Sequence, residues 1–277
     1  MIKQNTKLDP ALYVISTPIG NMQDISSRSL RILLLSDYIL CEDTRVTAKL
    51  LNFYKIKKKL VSFHLFNEKE KSQRVLEDLN SKKVLSLVSD AGTPTLNDPG
   101  RLLISQCYEL GIKVIPVPGP SAVLCAISVS GFSDNFYFCG FLGKKSSEIE
   151  RYLSKVKIIK ASLVFFMPAR DLSKNSKFFL KFFPKSNFLI AREMTKIHET
   201  YIRDSIVNIN KYIKNNSKGE MTLVIDNTIE EKNKINIDSE IKLLFGKMSS
   251  KNIAEYLSKK LELSKKLIYQ KVISFNE

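Results

Sequence analysis

The chain has 277 residues, 44% of them hydrophobic and 26% charged. At about 150 residues per domain that is room for about two domains with real cores, which excludes a disordered protein. Lys+Arg 44 against Asp+Glu 28 gives a net charge of +16, which excludes an acidic tail protein and points to a polyanionic partner.

Part of that charge reflects composition. Lys (35, against 9 Arg), Ile (28) and Asn (18) all draw on A/T-rich codons. Its placement is more informative. Residues 144–218 hold 17 basic and 6 acidic side chains, net +11, whereas residues 1–120 hold 17 and 12, net +5. The excess concentrates mid-chain, which uniform drift does not predict.

Apolar runs and amphipathic stretches alternate through the first 140 residues. LYVIS (12–16) reads as a buried strand, and Ser26 or Ser27 can cap a helix carrying Leu30, Leu33 and Leu34. DYILC (37–41), LVSF (60–63), VLSLVS (84–89) and KVIPV (113–117) read as strands. Between and after them, Thr44–Tyr54, Glu68–Leu79, Gly100–Leu110 and Ser121–Val129 read as helices. This rhythm implies a mainly parallel sheet covered by helices. GFLGKKSSEIE (140–150) reads as a break. LVFFM (163–167), FLIARE (188–193), ETYIRD (199–204) and MTLVID (221–226) then read as strands, with a helix over Ser173–Phe183. NTIEEKNKINIDSE (227–240) is the best linker. Beyond it Ser250 and Ser264 can cap two short helices with Ile253, Leu257, Leu261, Ile268 and Val272 as apolar stripe. Such a pair fits a helix-turn-helix-like appendage or a plain structural cap. The expected domains are 1–120, 121–228 (junction about 120–145) and a tail over 238–277.

Cys41, Cys107, Cys125 and Cys139 form no CxxC pair, and the only histidines are His64 and His198. No metal site is expected, and a reduced, intracellular protein is the simplest reading. The N-terminus lacks a signal-peptide apolar region. The longest uncharged run, Val114–Ser133, is broken by Pro116, Pro118 and Pro120. A soluble, cytoplasmic protein with no membrane partner is expected.

The chemistry-bearing residues follow strands, where ligands bind in open α/β sheets. Ser16-Thr17-Pro18-Ile19-Gly20-Asn21 is neither a dinucleotide nor a P-loop signature. Alone it reads as an ordinary strand–helix turn. Ser89-Asp90-Ala91-Gly92-Thr93-Pro94, continued by Asn97-Asp98-Pro99-Gly100, is a tightly turned loop. Asp90 can accept hydrogen bonds from a ligand, and Asp98 reads as the cap of the next helix. Val117-Pro118-Gly119-Pro120-Ser121-Ala122 presents a helix N-terminus whose N–H groups suit a carboxylate.

In order, STPIGNMQDIS, CEDTR (41–45), FHLFNE (63–68), SDAGTPTLNDPG (89–100), PVPGPSA (116–122), AREMTKIHET (191–200) and KGEMTLVI (218–225) resemble the RsmI family, from about Leu12 to the C-terminus. These are S-adenosylmethionine-dependent enzymes of the tetrapyrrole-methylase superfamily that methylate a ribose 2′-OH of small-subunit (16S) ribosomal RNA. The resemblance implies an α/β, two-domain tetrapyrrole-methylase-like fold with a cofactor cleft between the domains, a small C-terminal helical appendage, and a homodimer. The implied target is a decoding-centre cytidine, number 1402 in that RNA, within the small ribosomal subunit. The implied cofactor contacts are Ile19, Asp90, Thr93, Ser121, Ala122, Phe166 and Met221. One stretch departs: where the family has a Glu-Ser-Pro-His-Arg-like sequence, this chain reads Met167-Pro168-Ala169-Arg170-Asp171.

Methyl transfer to an alcohol needs alignment, exclusion of water and a proton acceptor. Candidate acceptors on the matching motifs are Glu42, Asp43, His64 and Glu68, and no spacing argument chooses among them. Glu42 and Arg45 can equally form a structural ion pair. Arg45, Lys196, Lys251, Lys259, Lys260, Lys265 and Lys266 are the candidate RNA contacts. The competing readings are a small-molecule tetrapyrrole methylase and a ribosome-binding relative that has lost the chemistry.

Overall fold

A computed structural model describes residues 7–213, 219–228, 237–261 and 263–274. The chain divides into two compact units, Met1–Asn227 and Thr228–Glu277. Among the described residues no helix is long and apolar enough to cross a membrane.

The first unit holds two five-stranded sheets. The first contains β1 (Ala11–Ile15), β2 (Tyr38–Cys41), β3 (Leu60–Ser62), β4 (Val84–Val88) and β5 (Val114–Val117) in the order β3-β2-β4-β1-β5. Every pairing is parallel. These strands are apolar along their length because both faces are covered. α1 (Ser27–Leu35) and α2 (Thr44–Phe53) pack on one face with Tyr13, Ile15, Ile39 and Leu51, and α3 (Glu68–Asn80) and α4 (Arg101–Glu109) on the other with Leu12, Leu40, Leu85 and Leu87. Ser26 is the cap that starts α1, its hydroxyl accepting the Ser29 N–H at 3.0 Å. The chain steps outward from β1 to β3 and then returns through β4 to β5, so the connections leaving the neighbours β1 and β4 run in opposite directions and the loops after β1, β4 and β5 meet at one carboxyl edge.

α5 (Ala122–Ser130) leads to the second sheet: β6 (Phe136–Phe141), β7 (Ser162–Pro168), β8 (Asn187–Arg192), β9 (Thr200–Ser205) and β10 (Glu220–Asp226), in the order β6-β7-β10-β8-β9. Only β6 and β7 run parallel. α6 (Ser146–Val156) and α7 (Leu172–Phe182) cover one face through Ile149, Leu153, Phe178 and Phe179. Val123 and Ala126 of α5 pack on the other against Val164, Leu189 and Val224.

The stretch read as a break at 140–150 contains the end of β6 and the start of α6. The strand hides in the sequence because a bulge between Phe138 and Gly140 shifts the alternation. Gly140 sits at φ +67, and a Cβ there would lie 2.8 Å from the Asn97 side chain.

The second unit has its own core of Ile241, Ile253, Ala254, Leu257, Ile268 and Val272, from α8 (Ile237–Leu244), α9 (Ser250–Leu261) and α10 (Lys265–Ser274). α8 lies partly within the polar stretch read as linker, of which residues 229–236 lie outside the described residues. Ser249 rather than Ser250 opens α9, its carbonyl accepting the Ile253 N–H at 2.9 Å.

Candidate active site

Three loops at the carboxyl edge of the first sheet are tied into one floor. Thr17 and Gly92 exchange backbone hydrogen bonds of 2.8 and 3.0 Å, and the Thr17 hydroxyl donates to the Ser89 carbonyl at 3.0 Å. Ser16 Oγ and Thr93 Oγ1 are 2.9 Å apart, and Thr93 reaches the Pro120 carbonyl at 3.3 Å. Opposite stand β7, β8 and β10, with the loop after β8 joined to the floor by Asn21 N–H donating to Thr195 Oγ1 at 3.0 Å.

Between them lies a cleft of about 280 Å³. Ile19, Asp90, Thr93, Ser121, Ala122, Phe166 and Met221 all line it, together with Leu96, Asn97, Asp98, Phe141, Met194 and Lys196. Phe141 and Phe166 pack with ring centroids 5.5 Å apart. At the start of α5 the Ser121 side chain makes no capping bond, so the first N–H groups of that helix are not satisfied by it. The cleft thus offers apolar walls, carboxylate acceptors and helix N–H donors. Among the described residues no cluster of metal-ligating side chains forms.

Both rims are strained. Thr95 and Asn97 on one side, Glu193 and Thr195 on the other, have φ of 73, 67, 51 and 64°. Strain of this kind persists where the surrounding structure over-determines it, often at sites of function. Glu193 is held by the Lys196 ammonium at 3.0 Å and the Glu220 N–H at 3.0 Å, which lower its pKa, the backbone bond most.

The four candidate proton acceptors differ sharply. Asp43 caps α2, accepting the Arg45 N–H at 2.8 Å, and is gripped by the Arg45 guanidinium at 2.6 Å; these bonds hold its pKa down to about 2. Arg45, with 86% of its side chain exposed, is therefore pinned beside Asp43 rather than Glu42. Glu68 is only 6% exposed, and its Oε1 accepts the N–H groups of Gly100, Leu102 and Leu103 at 3.1, 3.0 and 3.2 Å. It caps α4 from a neighbouring helix. Asp98, read as that cap, instead faces the cleft. Gly100 at φ +116 occupies the cap position, where a Cβ would meet Leu87 at 2.4 Å.

His64 is fixed by Asn67. The Asn67 Oδ1 accepts the His64 backbone N–H at 2.8 Å and its Nδ2 donates to the Ser62 carbonyl at 3.3 Å, which sets the amide orientation. Nδ2 therefore also donates to His64 Nε2, 3.0 Å away, whose lone pair is taken. Glu42 is half-buried and its pKa is raised by burial, then by Asp90 and Asp43. None of these four side chains lines the cleft. Sequence reasoning missed Asp98, Phe141 and Met194 as lining residues: Asp98 carried the signature of a helix cap, and Phe141 lay in the apparent break.

Where the resemblance expected a carboxylate, Met167 stands and with Pro168 extends an apolar wall of the cleft; where it expected a histidine, the exposed Arg170 stands outside the cleft lining. Lys251 and Lys266 in the second unit are exposed. Lys259 and Lys265 pair with Glu255, and Lys260 with Glu240, at 3.5, 2.7 and 2.9 Å.

Residues 11–209 match the model of the family described as Tetrapyrrole (Corrin/Porphyrin) Methylases, to which the chain belongs. Within it, the similar curated relatives carry the name Ribosomal RNA small subunit methyltransferase I. That of Neisseria meningitidis serogroup A is 37% identical over 271 residues, covering 95% of this chain and 93% of the relative. That of Rickettsia prowazekii is 36% identical, covering 96% and 97%. That of Thermotoga maritima is 40% identical over 216 residues, 77% of this chain but 97% of the relative, which makes it about 50 residues shorter than this protein. Among solved structures, diphthine synthase superposes with a TM-score of 0.60 at 16% identity (78% of this chain, 89% of that one), a likeness of fold.

Proposed function

We propose that this methyltransferase uses S-adenosylmethionine to methylate the ribose 2′-OH of the decoding-centre cytidine of 16S rRNA, in the cytoplasm and as a homodimer. The observation that carries the reading is the cleft, where all seven residues carried over by resemblance line one cavity. Its donor set suits the cofactor: Asp90 can accept from hydroxyl or ammonium groups, the α5 N-terminus can donate to a carboxylate, and Ile19, Phe166 and Met221 offer apolar contact. When bound, the cofactor supplies an electrophilic methyl group. The chain's part is to align the hydroxyl, keep water out and accept a proton.

The test is transfer of labelled methyl to small ribosomal subunits lacking the modification, followed by mapping. One 2′-O-methyl at that cytidine is the expected product. Cofactor binding without transfer would shift the assignment to another substrate or to a binding-only role.

The RNA reading draws on two further features. Phe66 is 98% exposed, yet the hydrogen bonds of Asn67 hold its loop in place. An aromatic ring presented to solvent in this way suits stacking on an unpaired base. Phe66→Ala is expected to raise KM for the RNA substrate about tenfold with little change in kcat, and Phe66→Tyr to restore it. Equal rescue by Phe66→Leu would point to apolar packing instead. The second feature is the lysine-rich tail. Removing residues 238–277 is expected to weaken RNA binding and its salt dependence while cofactor affinity, measured by calorimetry, stays put. Unchanged RNA affinity in the truncated protein would remove the tail from the substrate grip.

A further inference from the structure

We propose that Asp98 is the group that takes the proton from the substrate hydroxyl. The inference rests on the methyl-transfer reading above and adds to it the identity of the acceptor.

Two carboxylates divide the labour at the start of α4. A carboxylate two residues before a helix would ordinarily be drawn to the helix N–H groups. Here Glu68, arriving from α3, takes the N–H groups of Gly100, Leu102 and Leu103 on one oxygen. Asp98 is thereby released from capping, and it lines the cleft. Its backbone is held from both sides: Gly100 lies under Leu87, and Asn97 packs against Gly140 of β6, so the loop from the first sheet is keyed to the second.

Of the other acidic groups near the cleft, Glu220 is exposed on the opposite rim, and the rest are held by partners or lie outside the cleft. Asp43 is held by Arg45, and Glu193 by Lys196 and the Glu220 N–H. Asp90 lines the cleft too, but one oxygen accepts the Asp43 N–H at 3.0 Å and the carboxylate is the acceptor assigned above to the cofactor's hydroxyl or ammonium groups. His64 has its Nε2 engaged by Asn67 and does not line the cleft. Glu42 does not line the cleft.

Asp98 is also poised for the task. Burial, then the nearby Glu42, push its pKa up to about 6, with Asp90 adding to the rise and a hydrogen bond from Ser89 opposing it. The charged groups around it are Glu42 after β2, Asp90 after β4, and across the cleft Glu220 and the Glu193–Lys196 pair. A carboxylate of this affinity is ionised at neutral pH yet binds a proton more readily than a free one. As the new O–C bond forms and the S–C bond of the donor breaks, leaving its electron pair on sulfur, the hydroxyl proton passes to an Asp98 carboxylate oxygen.

Asp98→Asn is the test. With S-adenosylmethionine and unmodified small subunits, kcat should fall by at least about a hundredfold. The calorimetric Kd for S-adenosylmethionine should change by less than about threefold. The wild-type kcat should decline below about pH 6 as Asp98 becomes protonated, and Glu42→Gln should move that limb to lower pH. A readout without turnover accompanies these. A carboxyl whose pKa is raised by folding favours the native state at low pH, and this contribution is lost as pH rises through about 6. The Tm of Asp98→Asn should therefore exceed that of the wild type at about pH 8, and the gap should close towards about pH 4. Provided the wild type transfers methyl, a variant keeping more than about a tenth of kcat, or one whose main defect is cofactor affinity, overturns the assignment and leaves the methyl-transfer reading standing. A Tm gap that does not vary with pH overturns it as well.

Discussion

Glu68→Ala is expected to lower the Tm of the first unit by about 6–12 °C, from a loss of about 3 kcal/mol. Glu68 is 6% exposed, and its Oε1 is the common acceptor for three N–H groups at the start of α4. Truncation leaves those donors without a partner in a region where Gly100 and Leu103 are buried, so the desolvation cost is not recovered from water. It also removes a negative charge from the positive end of a helix dipole. Glu68→Gln keeps an oxygen acceptor, and its cost should be about 1 kcal/mol. Thermal denaturation of both variants measures the difference. A Glu68→Gln protein of wild-type stability that nonetheless transfers no methyl would return Glu68 to the chemistry.

How far the sequence led can be judged from the same segment. Among the described residues, apolar runs such as VLSLVS, bounded by turn residues, disclosed the nine strands outside β6 to within about two residues. β6 escaped notice, since its bulge at Gly140 breaks the alternation that marks a strand. Of the cleft floor, SDAGTP was legible through its dense turn residues, whereas STPIGN alone read as an ordinary strand–helix turn and joined the site only through the family resemblance. The roles of Glu68 and Asp98 were not. Each is local in sequence to a helix start, yet the cap of α4 comes from α3, thirty-two residues away from Gly100. A tertiary exchange of this kind leaves no trace in spacing. The orientation of Asn67, which decides what His64 can do, likewise depends on two backbone groups that only the folded loop brings together.

Asp90→Asn is expected to act in opposite directions on binding and on stability. Asp90 stands in the cleft floor with its Oδ1 accepting the Asp43 N–H at 3.0 Å. An asparagine oxygen can keep that bond, so the loop should retain its shape. What is lost is the charge offered to ligand hydroxyl or ammonium donors. Hydrogen bonds to a charged group contribute about 1.5–3 kcal/mol, so the Kd for S-adenosylmethionine should rise by about 10–100-fold in calorimetry. The unliganded protein should at the same time become more stable at neutral pH. Burial, together with the negative charge of Asp43, raises the Asp90 pKa, against the bond from the Asp43 N–H that lowers it. Folding therefore favours the protonated form: the stabilisation is present at low pH and lost as pH rises through the folded-state value, leaving the ionised side chain a cost at neutrality. Asparagine removes that cost along with its repulsion of Glu42 and Asp98. A higher Tm without ligand and a smaller rise in Tm on adding S-adenosylmethionine would together mark Asp90 as a residue kept for binding at the expense of stability. A lower Tm with unchanged Kd would instead make it a loop-bracing residue whose place in the cleft is incidental.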